Sequence, residues 1–152
     1  MDIVFAEEDN SSPHSVLKKF GINKSDVPNY DLEFSQTIAN SPIILGYQFE
    51  LEKTKHIKKD APQIPAVFIE RNKKFDDNYL IEAKGTILNI PLLQKNAYSS
   101  GFFNNIPDNS GIIRSVPLII SYDDNIYPSL ALEIIRAITN SSKVFIDYDK
   151  DG

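Results

Sequence analysis

The chain has 152 residues, 41% of them hydrophobic and 24% charged, with a formal net charge of -5. That length supports one domain with a buried core, and the composition is too ordinary for a disordered segment. Acids and bases are mixed with no basic face, so no nucleic-acid partner is expected, and the lack of cysteine excludes disulfides and Cys-ligated zinc.

The opening residues show neither the cationic nor the apolar region of a signal peptide. No run approaches the ~20 apolar residues of a membrane helix. Isoleucine outnumbers leucine 21 to 11, and β-branched side chains suit a pleated surface, so a substantial sheet is expected. Ile3 to Ala6 reads as a short strand that turns acidic at Glu7, Glu8 and Asp9. Ser12 then caps a helix, Pro13 suits its first position, Lys18 and Lys19 its last turn, and Gly21 ends it. A second helix is predicted from a cap at Asp31 to Asn40, stopped by Pro42. Ile43 to Phe49 follows as a strand apolar enough to be central.

Residues 50–84 loosen into a charged, variable excursion with "IPAVFIE" as a short strand inside it. His56 stands there without a second ligand at metal spacing. "ILNIPLLQKNAYSSG" holds a helix with Pro91 near its start and Gly101 beyond its end. "YPSLALEIIRAITN" is the best helix, with Ala131, Ile134, Ile135 and Ile138 on one apolar face and Glu133 and Arg136 on another. "KVFIDYDKDG" closes the chain as a strand running into an Asp-Gly turn. A hairpin turn is preferred there to a calcium loop, because no closing Glu follows and a strand precedes.

One residue breaks the pattern. Read as an extended run, Ile112 to Tyr122 places Arg114 on the more apolar face by the two-residue period. A guanidinium there needs an acid, carbonyls or an anionic ligand, since an uncompensated buried charge costs several kcal/mol. Pro117 makes the strand an edge or a bulged one. "PDNSG" is a type I turn signal joining a "GFFN" strand to this run, which brings Asn104, Asp108 and Arg114 together. A structural pairing of Asp108 with Arg114, with Asn104 satisfying loop backbone, is favoured over a ligand site.

The segments "DIVFAEEDNSSP", "IILGYQF", "GFFNNIPDNSGIIRSVPL" and "YPSLALEIIRA", in this order, resemble the CHASE domain of the second type, a sensory extracellular domain associated with cyclases and histidine kinases. The phrase from Gly101 to Pro117 carries most of the likeness. The resemblance implies a periplasmic sensor of a bacterial inner-membrane receptor, anchored only through segments absent from this chain. The implied output is an adenylate or diguanylate cyclase, a histidine kinase or a Ser/Thr kinase. It also implies a domain incomplete at both ends, without catalysis or cofactor. The polar members of the matching motifs are Asp2, Glu7, Asp9, Asn104, Asp108, Arg114, Tyr127 and Ser129. Of these, Asn104, Asp108, Arg114, Tyr127, Ser129, Glu7 and Asp9 are the candidate ligand-binding residues, the ligand being an unidentified small molecule of anionic character.

Competing chemistry is weaker. His14 lies in a helix's first turn with no nucleophile-elbow pattern, so a hydrolase is rejected. Glu7, Glu8 and Asp9 at a strand end form a weak cation candidate, but acids there also cap helices, and no metal site is expected. The expectation is one α/β domain over 1–152, a mixed sheet flanked by helices. The alternative to ligand sensing is a homodimer that transmits by packing alone.

Overall fold

β1 (Ile44–Glu50) organises the chain. In the computed structural model, which describes residues 3–22, 27–53, 60–73 and 80–148, it is the middle strand of a three-stranded mixed sheet. β3 (Gly85–Ile87) pairs with it antiparallel through Gln48↔Ile87 and Phe49↔Thr86. β4 (Ser99–Phe102) pairs with it parallel through Gly46↔Gly101 and Tyr47↔Phe102. The run predicted as central is central.

Burial explains why this segment is a strand. Leu45, Tyr47 and Phe49 alternate along β1 and are all buried, as a strand with a covered face requires. Phe49 is a hub. Its ring lies 5.3 Å from Tyr47, 5.7 Å from Phe102, 5.6 Å from Tyr122 and 5.5 Å from Tyr127. Aromatic pairs at such spacings each contribute ~0.5–1.5 kcal/mol beyond their buried area. A second cluster gathers Ile38, Leu45, Ile90 and Leu93, with Phe5 and Phe34 packed against it.

The helices begin where the sequence signals say. α1 (Pro13–Lys19) is capped by the Ser12 hydroxyl, and Gly21 adopts a positive φ just beyond it. α2 (Tyr30–Ala39) starts one residue before the predicted cap, because Asn29 accepts the Leu32 N–H and Asp31 falls inside the first turn. α3 (Pro91–Asn96) has Pro91 in its first turn. α4 (Leu130–Ile138) is capped by Ser129, whose hydroxyl accepts the Leu132 N–H at 3.2 Å.

Two small sheets complete the architecture. β2 (Val67–Arg71) pairs parallel with β7 (Lys143–Asp147), so the short strand inside residues 50–84 meets the last strand of the chain. Tyr148 donates from its hydroxyl to Glu70 at 2.5 Å beside that pair. β5 (Ile119–Tyr122) and β6 (Asn125–Pro128) form a hairpin that sequence reading did not anticipate. Its loop is Asp123-Asp124, both at positive φ, which is how a two-residue hairpin loop matches strand twist.

Three expectations are corrected. Ile3 to Ala6 forms no regular strand; Phe5 is tied instead by its N–H to Asn89 Oδ1 at 2.9 Å and its carbonyl to the Ile90 N–H at 2.7 Å. The "GFFN" strand begins two residues earlier, at Ser99. The Ile112 to Tyr122 run is a strand only from Ile119, and Ile112, Ile113, Val116 and Leu118 are each at least half exposed. A Gly-containing turn before the run and the donor-less Pro117 within it deny that segment a ladder. Asp2, His56 and the turn beyond Tyr148 lie outside the described residues.

α4 sits tightly on β4. A Cβ built on Gly101 would lie 2.7 Å from both the Cα and the N of Leu130, so only glycine admits the helix this closely. Because both clashing atoms are backbone, Gly101→Ala is expected to cost about 3 kcal/mol, the upper end of ordinary overpacking. Urea unfolding measures it, and a loss below ~1 kcal/mol would show that α4 can lift off the sheet without consequence.

Candidate functional site

The predicted site residues do not converge on one point. Asp108 and Arg114 do meet: Arg114 Nη1 contacts the Asp108 carboxylate and donates to the Ser110 hydroxyl at 3.2 Å. The Gly111 N–H donates to the Asp108 carbonyl at 2.8 Å, which closes the turn the sequence signalled, and the Asp108 carboxylate accepts the Ser110 N–H at 2.8 Å. The contact foreseen between Asp108 and Arg114 is therefore present. Its setting is not the one foreseen: the Arg114 side chain is 60% exposed rather than lying against an apolar face. The hollow beside it, of about 330 Å³, has Ile106, Pro107, Val116 and Pro117 among its lining residues.

Asn104 does not satisfy loop backbone as expected but clamps the central strand. It accepts the Phe49 N–H at 2.8 Å and donates to the Phe49 carbonyl at 2.7 Å. One amide thus continues the ladder of β1 past the end of β4. Tyr127 is buried in the aromatic cluster, where burial raises its phenol above the ordinary value, Asp123 and Tyr122 adding to the effect. Ser129 is the cap of α4. These three roles are visible as hydrogen bonds and packing.

The buried charge lies elsewhere. Glu133 is fully buried, and its carboxylate accepts from Arg136 Nε at 2.7 Å, from Arg136 Nη2 at 2.6 Å and from the Ser99 hydroxyl. Arg136 Nη1 also donates to the Ser141 carbonyl at 2.7 Å. The fork geometry is the strong form of this pairing, and the bond to Glu133 raises the Arg136 pKa further. Tyr47 reaches the same region; burial pushes its phenol well above the usual range, with Tyr127 and Glu133 contributing. Among the described residues its hydroxyl has no hydrogen-bond partner.

The buried pair settles the orientation of α4, which the sequence left open. The helix buries its Glu133 side and turns Ile134, Ile135 and Ile138 outward, with exposures of 39%, 60% and 80%. Periodicity identified the two faces but could not say which one met the sheet. The one legible signal was an acid and an arginine at i, i+3 following a serine cap, which reads equally well as a solvated surface pair.

Glu7 is exposed, whereas Asp9 shapes a turn. Its carboxylate accepts from the Ser11 hydroxyl at 2.7 Å and the Ser11 N–H at 2.8 Å, and those bonds hold its pKa below the usual value. The Asp9 N–H donates to Asp31 Oδ2 at 2.9 Å, joining this turn to α2. Between the turn, α1 and α3 opens a cleft of about 770 Å³. Lys18, Lys19, Lys95 and His14 line it together with Glu8 and Asp31, over a floor that includes Ile90 and Leu92. Sequence reading took Lys18 and Lys19 as helix-end signals and had no means of joining them to Lys95. Among the described residues no group of three or more His, Asp or Glu could hold a metal ion, and no helix is long and apolar enough to cross a membrane.

The two ion pairs differ in consequence. Glu133→Ala leaves Arg136 unpaired where it is mostly buried and is expected to cost about 3–5 kcal/mol. Arg114→Ala, at an exposed pair, is expected to cost less than ~1 kcal/mol. Parallel urea titrations check this, and equal losses would overturn the ranking. Comparison with known proteins agrees with the motif order. No curated protein and no solved structure matched the chain. The family model described as the CHASE2 domain matches residues 1–150. CHASE2 domains are sensory extracellular domains of signalling receptors, not catalytic ones, and this chain belongs to the CHASE2 family.

Proposed function

We propose that this chain is the periplasmic input of a bacterial inner-membrane receptor and that it senses a small anionic solute. The output in this reading lies outside the chain, as an adenylate or diguanylate cyclase, a histidine kinase or a Ser/Thr kinase. The observation that carries the ligand assignment is the cleft between α1, α3 and the Asp9 turn. Its volume of about 770 Å³ suits a small molecule. Three lysines against two acids line it in a chain whose net charge is -5, which gives the cleft a local excess of positive charge. Glu8 and Asp31 on the same walls suit a ligand that also carries an amine or hydroxyls.

Asn104, Asp108, Arg114, Tyr127, Ser129, Glu7 and Asp9 enter this proposal unequally. Asp9 shapes the turn whose Glu8 and Asn10 line the cleft, and Glu7 precedes it. Arg114 remains the competing anion anchor, but a ligand there exchanges with Asp108 rather than meeting a free cation. Asn104, Tyr127 and Ser129 support the frame through the bonds described above. A solute alters the receptor only by its difference in affinity for two states. A cleft between separate elements offers such a difference through closure.

The second reading, transmission by packing between copies without ligand, is favoured by one observation, the outward apolar side of α4.

The test is a thermal-shift titration with citrate, succinate, glutamate and phosphate. Ligand at ~100 times its Kd adds about 2.7 kcal/mol, roughly 5–10 °C for a chain of this size. The shift should vanish in Lys18→Glu/Lys95→Glu, both exposed positions, and persist in Arg114→Ala. The opposite pattern would move the site to the Asp108–Arg114 turn. No shift with any anion would leave the packing reading as the stronger.

A further inference from the structure

The apolar face of α4 has no partner among the described residues. Ile134, Ile135 and Ile138 project from it, and Ile134 and Ile138 flank an open groove of about 710 Å³ against Ile43 and Tyr98. None of the groove's lining residues is charged. Most charged positions of the chain lie elsewhere, and the one ion pair of this helix, Glu133 with Arg136, is turned toward the sheet.

We infer that this face is the contact between two copies of the chain, α4 of each seated in the groove of the other. The inference gives the packing reading above a surface and a partner, and rests on that reading only for its signalling meaning. Two arguments select a second copy. The first is shape. A projecting ridge, Ile135 and Ile138 at 60% and 80% exposure, lies beside a groove on the same face. A twofold contact needs a self-complementary patch, in which one surface supplies both knob and hole.

The second argument is area. The exposed parts of Ile134, Ile135, Ile138 and Tyr98, with the groove floor, amount to on the order of 500 Å² per copy. That is near the top of the roughly 300–600 Å² patches that ordinary monomers tolerate. Across a pair it gives about 1,000 Å², the lower bound for a specific interface. The dimer is therefore reversible rather than obligate. Charge agrees: with a net charge of -5 on each copy, a charge-free patch is where two copies meet with least repulsion.

Sedimentation velocity over ~10–500 µM protein should show a monomer–dimer equilibrium. Ile138→Glu, at a position 80% exposed, should weaken it at least about tenfold while leaving the melting transition cooperative and near wild type. The chain has no cysteine, so single-cysteine variants report proximity without background. Ile138→Cys should form a disulfide dimer under mild oxidation, whereas Glu33→Cys on the exposed side of α2 should not. A wild-type chain that stays monomeric throughout, or a dimer unaffected by Ile138→Glu, overturns the inference. A monomer that binds an apolar dye at this face, with binding lost in Ile138→Glu, also overturns it and assigns the face to a different apolar partner. Failure of the anion titration leaves this test untouched, since neither variant lies in the lysine cleft.

Discussion

The buried carboxylate of Glu133 sets the orientation of α4, and much of the molecule follows from that. An isolated carboxylate cannot be taken from water without partners. Here the two nitrogens of Arg136 and the hydroxyl of Ser99 supply them. Such a pair adds little net stability over an apolar filling of the same volume, but breaking it is expensive. Its effect is therefore on geometry. Ser99 begins β4, so the bond fixes the helix's rotation over the sheet, and Gly101 in the same strand lets the helix N-terminus approach. With both contacts made, the isoleucines can only point away.

The remainder of the core holds β1 in place from both ends. Phe49 gathers the rings of Tyr47, Phe102, Tyr122 and Tyr127 around itself, and the Asn104 side chain holds its backbone in both hydrogen-bonding directions. At the other end Asn89 donates to the Gly46 carbonyl at 2.9 Å while accepting the Phe5 N–H. Two asparagines thus finish a sheet whose strands are too short to satisfy one another. Side-chain amides suit the task because each carries a donor and an acceptor in one plane.

The two proposals concern surfaces of different kinds. The lysine cleft is polar and walled by α1, α3 and a turn, of which α3 reaches the sheet through Leu93 in the smaller aliphatic cluster. The α4 face is apolar and is coupled to the sheet through buried charge. The two proposals do not exclude each other, because the cleft and the apolar face of α4 are lined by different residues.

Local chemistry was readable from the chain alone. The cap at Ser12, the stop at Gly21, the central strand, the turn at Asp108 and the pairing of Asp108 with Arg114 depend on neighbours in sequence, and propensity and turn geometry decide them. So did the order of motifs that points to the CHASE2 family. What the tertiary structure decided is which side of each element is inside. Helical periodicity separates two faces of α4 without ranking them, and only Ser99, thirty-four residues away, makes the charged one the buried one. The same limit applied to Arg114. A period of two predicts a shared face only where a ladder forms, and among the described residues no strand pairs with residues 112–118. The cleft was invisible for a related reason. Lys18, Lys19 and Lys95 are unremarkable in their own helices, and they line one cleft only once the fold places α1 and α3 on either side of it.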